Sequence, residues 1–173
     1  MKSLITSIIE GNNIDMNIYL DMDGVLCNFT EQFKNITNIY PDEYQLKYGE
    51  EKFWNEIENA GVEYWSTMKW NTGSKQLYKF VINNFKKVEI LTSTPYSIIG
   101  RKFAMQGKKI WVKNNLDNIK INFSNQKYKY ATPNSILIDD MESNIDDWNN
   151  AGGIGILFKN INQVINNLKE LIK

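Results

Sequence analysis

Apolar residues recur along this chain in two rhythms. Short continuous or alternating runs at 17–20, 88–91, 119–123, 135–138 and 154–158 read as strands. Between them the apolar positions fall three or four apart, the spacing of one helix face. Phe29, Phe33 and Ile36 open such a stripe, and Phe53, Trp54 and Ile57 continue it. Pro41-Asp42-Glu43 between them is a good helix start, because Pro suits the first turn and acids suit its dipole. Leu77, Phe80 and Val81 follow Gly73-Ser74, and Phe103, Ile110, Trp111 and Leu116 mark a long helix over 98–115. A helix over 142–150 stops at Ala151-Gly152-Gly153, and Ile161, Val164, Ile165 and Leu168 close the chain. Strands alternating with helices predict an α/β fold, a parallel sheet with helices on both faces. The expected division is a core of 16–28 and 71–173, a small helical cap of 29–70 inserted after the first strand, and an N-terminal extension of 1–15. Met16, read as an alternative start, would make that extension dispensable.

Composition narrows the chemistry more than the fold. The 173 residues make one domain. Twenty Lys and Arg balance 20 Asp and Glu, so no general basic field favours nucleic acid or an anionic membrane. With no His, a Ser-His-Asp triad, a Cys-His dyad and any His-ligated zinc are excluded. The single Cys27 excludes an internal disulfide or a thiolate cluster and fits a reducing compartment. No apolar run approaches the roughly 18 residues of a membrane span. The opening stretch, broken by Thr6, Ser7 and Glu10, lacks the features of a signal peptide, so a cytoplasmic protein is expected. Carboxylates, Lys, hydroxyls, Tyr or a hard metal ion must carry any activity.

Three predicted strands end in polar residues: Asp21 and Asp23 after the first, Thr92 and Ser93 after the second, Asp139 and Asp140 after the fourth. Each has an ordinary structural reading, as a turn, a helix cap or a solvated pair. In a doubly wound sheet, however, the carboxyl ends of the strands are where ligands bind. Gly24 lets the chain turn tightly after Asp23. Carboxylates, a hydroxyl pair and a Lys converging without His suit Mg²⁺, which prefers oxygen ligands and commonly shares a substrate phosphate.

Ile18-Tyr19-Leu20-Asp21-Met22-Asp23-Gly24-Val25-Leu26 resembles the first motif of the haloacid dehalogenase-like (HAD) phosphohydrolases. Ile90-Leu91-Thr92-Ser93 resembles the second, Lys129 the third and Leu137-Ile138-Asp139-Asp140 the fourth. The likeness runs from 17 to about 158, and within the superfamily it is closest to the 5'(3')-deoxyribonucleotidases. There the third-motif Lys stands nine residues before the Asp pair, the place of Lys129, with Lys127 as the alternative in a shifted register. The resemblance implies a Rossmann-like, HAD-like core and a Mg²⁺-dependent phosphomonoesterase. Asp21 would be the nucleophile, forming an aspartyl-phosphate, and Asp23 the general acid and base. Asp21, the Asp23 backbone carbonyl and Asp140 would hold Mg²⁺. Thr92, Ser93 and Lys129 would bind the phosphoryl oxygens, with Asp139 and Asn144 in supporting places. Asn144 stands where much of the superfamily has another acid.

The cap would choose the substrate. Phe29, Phe53, Trp54 and Trp65 fall near the base-stacking aromatics of the deoxyribonucleotidases, although aromatics at helical spacing also serve as core. The resemblance thus implies a small-molecule phosphomonoester, a nucleoside monophosphate and foremost a deoxyribonucleotide. Neither a membrane nor nucleic acid is expected as partner, and a homodimer is left open. Other readings are a HAD phosphatase of another small phosphomonoester or of a polynucleotide end, and a non-catalytic HAD-like binding domain. Arg101, Lys102, Lys108, Lys109 and Lys113 read as a solvated helix face, with a phosphate-tracking groove as the alternative. Cys27 reads as packing.

Overall fold

The computed structural model describes residues 14–171. The extension of 1–15 lies outside them except for its last two residues, which begin the first strand. β1 is Ile14–Leu20, three residues longer than its apolar run. Three helices follow, α1 Phe29–Thr37, α2 Pro41–Tyr48 and α3 Glu50–Ser66, the last kinked at Gly61. The core resumes with α4 Ser74–Asn84, β2 Phe85–Thr92, α5 Ile98–Asn115 and β3 Lys120–Phe123. A 3-10 turn, Lys127–Tyr130, precedes β4 Ser135–Asp139, α6 Glu142–Asn150, β5 Ile154–Leu157 and α7 Ile161–Leu171.

The five strands form one sheet, all parallel, in the order β3-β2-β1-β4-β5. Ile18, Leu20, Ile90, Ile136, Leu137 and Ile138 are wholly buried, as a sheet covered on both faces requires. Two apolar layers result: a large one under α4, α5, α7 and the cap, and a smaller one of Tyr19, Leu91, Leu137, Ile145 and Trp148. The strand order reverses at β1, whose neighbours are β2 and β4. Such a reversal opens a crevice at the carboxyl ends of the strands.

The inserted segment enters and leaves through paired backbone. Asn28 N–H donates to Lys69 O at 2.9 Å, and Asn71 N–H donates to Leu26 O at 2.7 Å. Within it, α3 lies along α5. The buried positions of α5 are Gly100, Ala104, Gly107, Lys108, Trp111 and Val112, and Gly100 and Gly107 among them face Glu58, Val62 and Trp65 of α3. At Gly107 a Cβ would stand 2.6 Å from the Val62 carbonyl oxygen, so only a residue without one lets the cap backbone come this close. No helix among the described residues is long and apolar enough to cross a membrane.

Candidate active site

Each strand that borders the crevice delivers its terminal residue into it. Asp21 follows β1 directly, its N–H donating to Ile138 O at 3.0 Å, which ties it to β4. The turn after it closes on itself: Gly24 N–H donates to Cys27 O and Cys27 N–H to Met22 O, at 2.9 and 2.7 Å. Gly24 has a φ of +84°, and an added Cβ would collide with the Asp140 carboxylate. The absent side chain is therefore what lets Asp140 reach back over the turn. Gly24→Ala is expected to cost about 1–2 kcal/mol for the left-handed backbone and to displace Asp140. Thermal melts would show a lower Tm and a smaller gain on adding Mg²⁺ than in the wild type. An unchanged Mg²⁺ response would detach Asp140 from cation binding.

Ligand oxygens of Asp21, Asp139 and Asp140 lie within 4.8 Å of one another. Among them sits Lys127, 2.6 Å from Asp21 Oδ1 and 2.6 Å from Asp139 Oδ2. Burial works against its charge, but Asp21 and Asp139 outweigh that and hold its pKa above the ordinary lysine value. Asp21 is 5% exposed. Its pKa is raised to about 7, mainly because burial penalises the carboxylate; Lys127 pulls it down, while Asp139, Asp23 and Asp140 push it up. Asp140 is exposed as a residue, but its carboxylate folds in over Gly24, and this withdrawal from water, then Asp139, raises it to about 6. One ammonium thus faces three carboxylates, a site with a surplus of negative charge.

A hard cation fits that surplus, since every donor in the cluster is a carboxylate oxygen. Asp139 has both oxygens engaged: Oδ1 accepts from Met141 N–H at 2.9 Å and Asn144 Nδ2 at 3.1 Å, and Oδ2 from Lys127 and Asn144. Asn144 thus holds Asp139 through both of its oxygens. Asp21 and Asp140 are left, with the Asp23 carbonyl, as the residues that would hold Mg²⁺.

Lys129 is not in the site. It lies exposed on the 3-10 turn, and Lys127 occupies the place expected for it. The reason is geometric: a 3-10 turn repeats every three residues, so Lys127 and Tyr130 share its inner side while Lys129 falls outside. Thr92 is wholly buried at the end of β2, and Ser93 beside it is half-buried, its hydroxyl 3.5 Å from Ser124 O.

One residue of the site was hidden in the basic run of α5. Lys108 is wholly buried, whereas Arg101, Lys102, Lys109 and Lys113 are exposed. Its ammonium donates to Asp23 Oδ2 at 2.7 Å, Thr92 Oγ1 at 2.7 Å and Ser93 O at 2.8 Å. Helical spacing was the available signal, because Lys108 stands four residues after Ala104 and three before Trp111, both buried.

The cap aromatics divide into two groups. Phe53 and Trp65 are 3% and 2% exposed, so they turn inward rather than toward a ligand. Phe53 packs on Phe33 with centroids 4.5 Å apart, and Trp65 packs on Tyr64 at 5.1 Å and lies 4.8 Å from the Lys108 ammonium. Phe29 is half-buried against Phe53, Tyr64 and Trp65. Trp54 opens onto a cavity of about 320 Å³ between the cap and the segment after β2, lined also by Glu50, Glu51, Glu58, Pro95, Tyr96 and Ser97. Ser97 Oγ donates to Glu58 across this seam.

No protein-family model matches the sequence, and no curated protein matches it as a relative. Solved structures do match the fold. A hydrolase from Pseudomonas syringae aligns with a TM-score of 0.52 at 12% identity, covering 90% of this chain and 98% of its own. A hydrolase from Streptococcus pneumoniae TIGR4 aligns at 0.52 and 14%, covering 90% and 100%. A haloacid dehalogenase-like family hydrolase from Streptococcus pneumoniae aligns at 0.52 and 12%, covering 88% and 90%. The five-stranded parallel sheet flanked by helices is an α/β, Rossmann-like fold that the chain shares with these hydrolases, a haloacid dehalogenase-like one among them.

Proposed function

We propose that this chain is a Mg²⁺-dependent phosphomonoesterase that hydrolyses a nucleoside monophosphate, foremost a deoxyribonucleotide, through an aspartyl-phosphate. The observation that carries this reading is the pairing of two acids two residues apart with two different buried lysines. Asp21 lies on Lys127 and Asp23 on Lys108, so each carboxyl is held in its own environment. Such separation of two carboxyls suits one to attack and the other to move a proton.

In the first step an Asp21 oxygen forms a bond to phosphorus as the ester P–O bond breaks, and Asp23 gives its proton to the departing oxygen. In the second, water gives a proton to Asp23 while its oxygen attacks the same phosphorus, and the Asp21–phosphorus link breaks to release inorganic phosphate. Lys127 and the Thr92 hydroxyl would steady the phosphoryl oxygens as charge moves onto them. Mg²⁺ held by Asp21, Asp140 and the Asp23 carbonyl would offset the repulsion between an anionic nucleophile and an anionic phosphate. Trp54 and Tyr96 support the nucleotide, because they wall a cavity lined also by Pro95, which follows Thr92 by only three residues. Three residues span at most about 11 Å, a reach that suits a base attached through its sugar to a bound phosphate.

The test is phosphate release from deoxy- and ribonucleoside monophosphates, sugar phosphates and a 5'-phosphorylated oligonucleotide, each with Mg²⁺ and with EDTA. Release from a nucleotide class with Mg²⁺ is expected, and its loss in EDTA. Release from a sugar phosphate or the oligonucleotide alone would move the substrate and keep the chemistry. Nucleotide binding without any release would make this a binding domain.

A further inference from the structure

We propose that Lys108 is a positioning residue that fixes which oxygen of Asp23 handles the proton. The inference rests on the phosphomonoesterase reading and deepens it. A lysine ammonium has three N–H donors and no acceptor. In Lys108 all three are used, on Asp23 Oδ2, Thr92 Oγ1 and Ser93 O. The side chain is 0% exposed and capped by the Trp65 ring. Nothing of it is left to bind a substrate, so it acts through the groups it holds.

What it holds are the two groups on which the leaving oxygen and the phosphoryl oxygens depend. Asp23 Oδ2 is anchored, while Asp23 Oδ1 is closed off from solvent and has no hydrogen-bond partner among the described residues. Lys108 thus occupies one oxygen of Asp23 and leaves Oδ1 as the one free to exchange a proton. In the first step its proton passes to the ester oxygen as the P–O bond breaks and the Asp21–phosphorus bond forms, while Oδ2 stays on Lys108. In the second step water returns a proton to Oδ1. Thr92 Oγ1 accepts from Lys108, which directs the Thr92 O–H away from the ammonium and toward the crevice as a donor. The lysine sits deep in the fold because the cap covers it: Gly107, one residue before it, lets α3 close over α5, and Trp65 lies on the ammonium.

The test compares kcat/KM of wild type and Lys108→Met on p-nitrophenyl phosphate, whose leaving group departs without a proton, and on an alkyl ester such as a deoxynucleoside monophosphate. Lys108→Met is expected to lose about 10²-fold more on the alkyl ester than on the aryl one, the scale of general acid catalysis. In an Asp23→Asn background the same change should leave the alkyl-to-aryl ratio where Asp23→Asn alone puts it. Equal losses on both esters in a folded protein, or a further shift of the ratio in the Asp23→Asn background, would overturn the proposal. Should Lys108→Met not fold, Lys108→Gln, which keeps a donor without the charge, is read in the same way. A wild type that cleaves neither ester overturns the phosphomonoesterase reading itself, an outcome distinct from equal losses in an active enzyme.

Discussion

Asp21→Asn is expected to lower phosphate release on the order of 10⁶-fold, the scale seen when a covalent nucleophile is removed, and to leave a folded protein that resists denaturation better than wild type at pH 8 in EDTA. An amide cannot form the acyl phosphate, yet its carbonyl oxygen still accepts from Lys127, so the packing around it survives. The gain in stability follows from the charge surplus. Lys127 and Asp139 balance each other once Asp21 is neutral, whereas in wild type burial holds Asp21 up to about 7. Between about pH 4 and 7 the folded protein therefore binds a proton at Asp21 that the unfolded chain has lost. Stability falls as pH rises through that window. Asp21→Asn should remove this part of the slope, leaving the share of Asp140, which is raised to about 6. Urea unfolding at pH 5 and 8 in EDTA, beside phosphate release with Mg²⁺, measures both effects. Undiminished release would take the nucleophile's role from Asp21, and an unchanged pH slope would show its carboxyl to be well solvated.

The second large effect separates two lysines two positions apart. Lys127→Met removes the shared partner of Asp21 and Asp139 and leaves two carboxylates facing each other in the interior. Breaking a buried ion pair in this way costs about 3–5 kcal/mol, and on the proposed reading it also takes a cation from the phosphoryl site. Lys129→Met changes an exposed side chain and should stay within about 0.5 kcal/mol of wild type. Denaturant unfolding of the two variants, with phosphate release measured on each, decides between them. A costly Lys129→Met beside a harmless Lys127→Met would restore the lysine that the family spacing points to.

These two lysines also mark the border of what the sequence reveals. The acids were legible because each follows an apolar run, and a parallel sheet sends the ends of such runs to one edge. Hence Asp21, Thr92, Asp139 and Asp140 stand where the strand pattern puts them. Lys129 follows from a family spacing, and spacing carries no information on whether a short connection winds as a 3-10 turn. Lys108 was masked by composition, since four of the five basic residues of α5 are exposed and the fifth looks the same. Only its register with Gly100, Ala104 and Trp111 marks it as inward. Phe53 and Trp65 lie buried for a related reason. An apolar stripe reports burial, and three short helices need a core of their own before they can lend aromatics to a ligand.

The distances in sequence between the paired charges have a consequence for how the protein comes into being. Lys127 meets Asp21 across 106 positions, and Lys108 meets Asp23 across 85. Contacts this remote close late, because the intervening chain must give up its freedom first. During synthesis Asp21 and Asp23 emerge early and remain hydrated, each waiting for a lysine that follows much later in the chain. Asp21 and Asp139 are drawn out of water only when β4 takes its place beside β1. A nascent chain that ends before Lys127 already holds Lys108 for Asp23 but has no cation for Asp21, so the charge balance of the cluster is completed only by the last third of the chain.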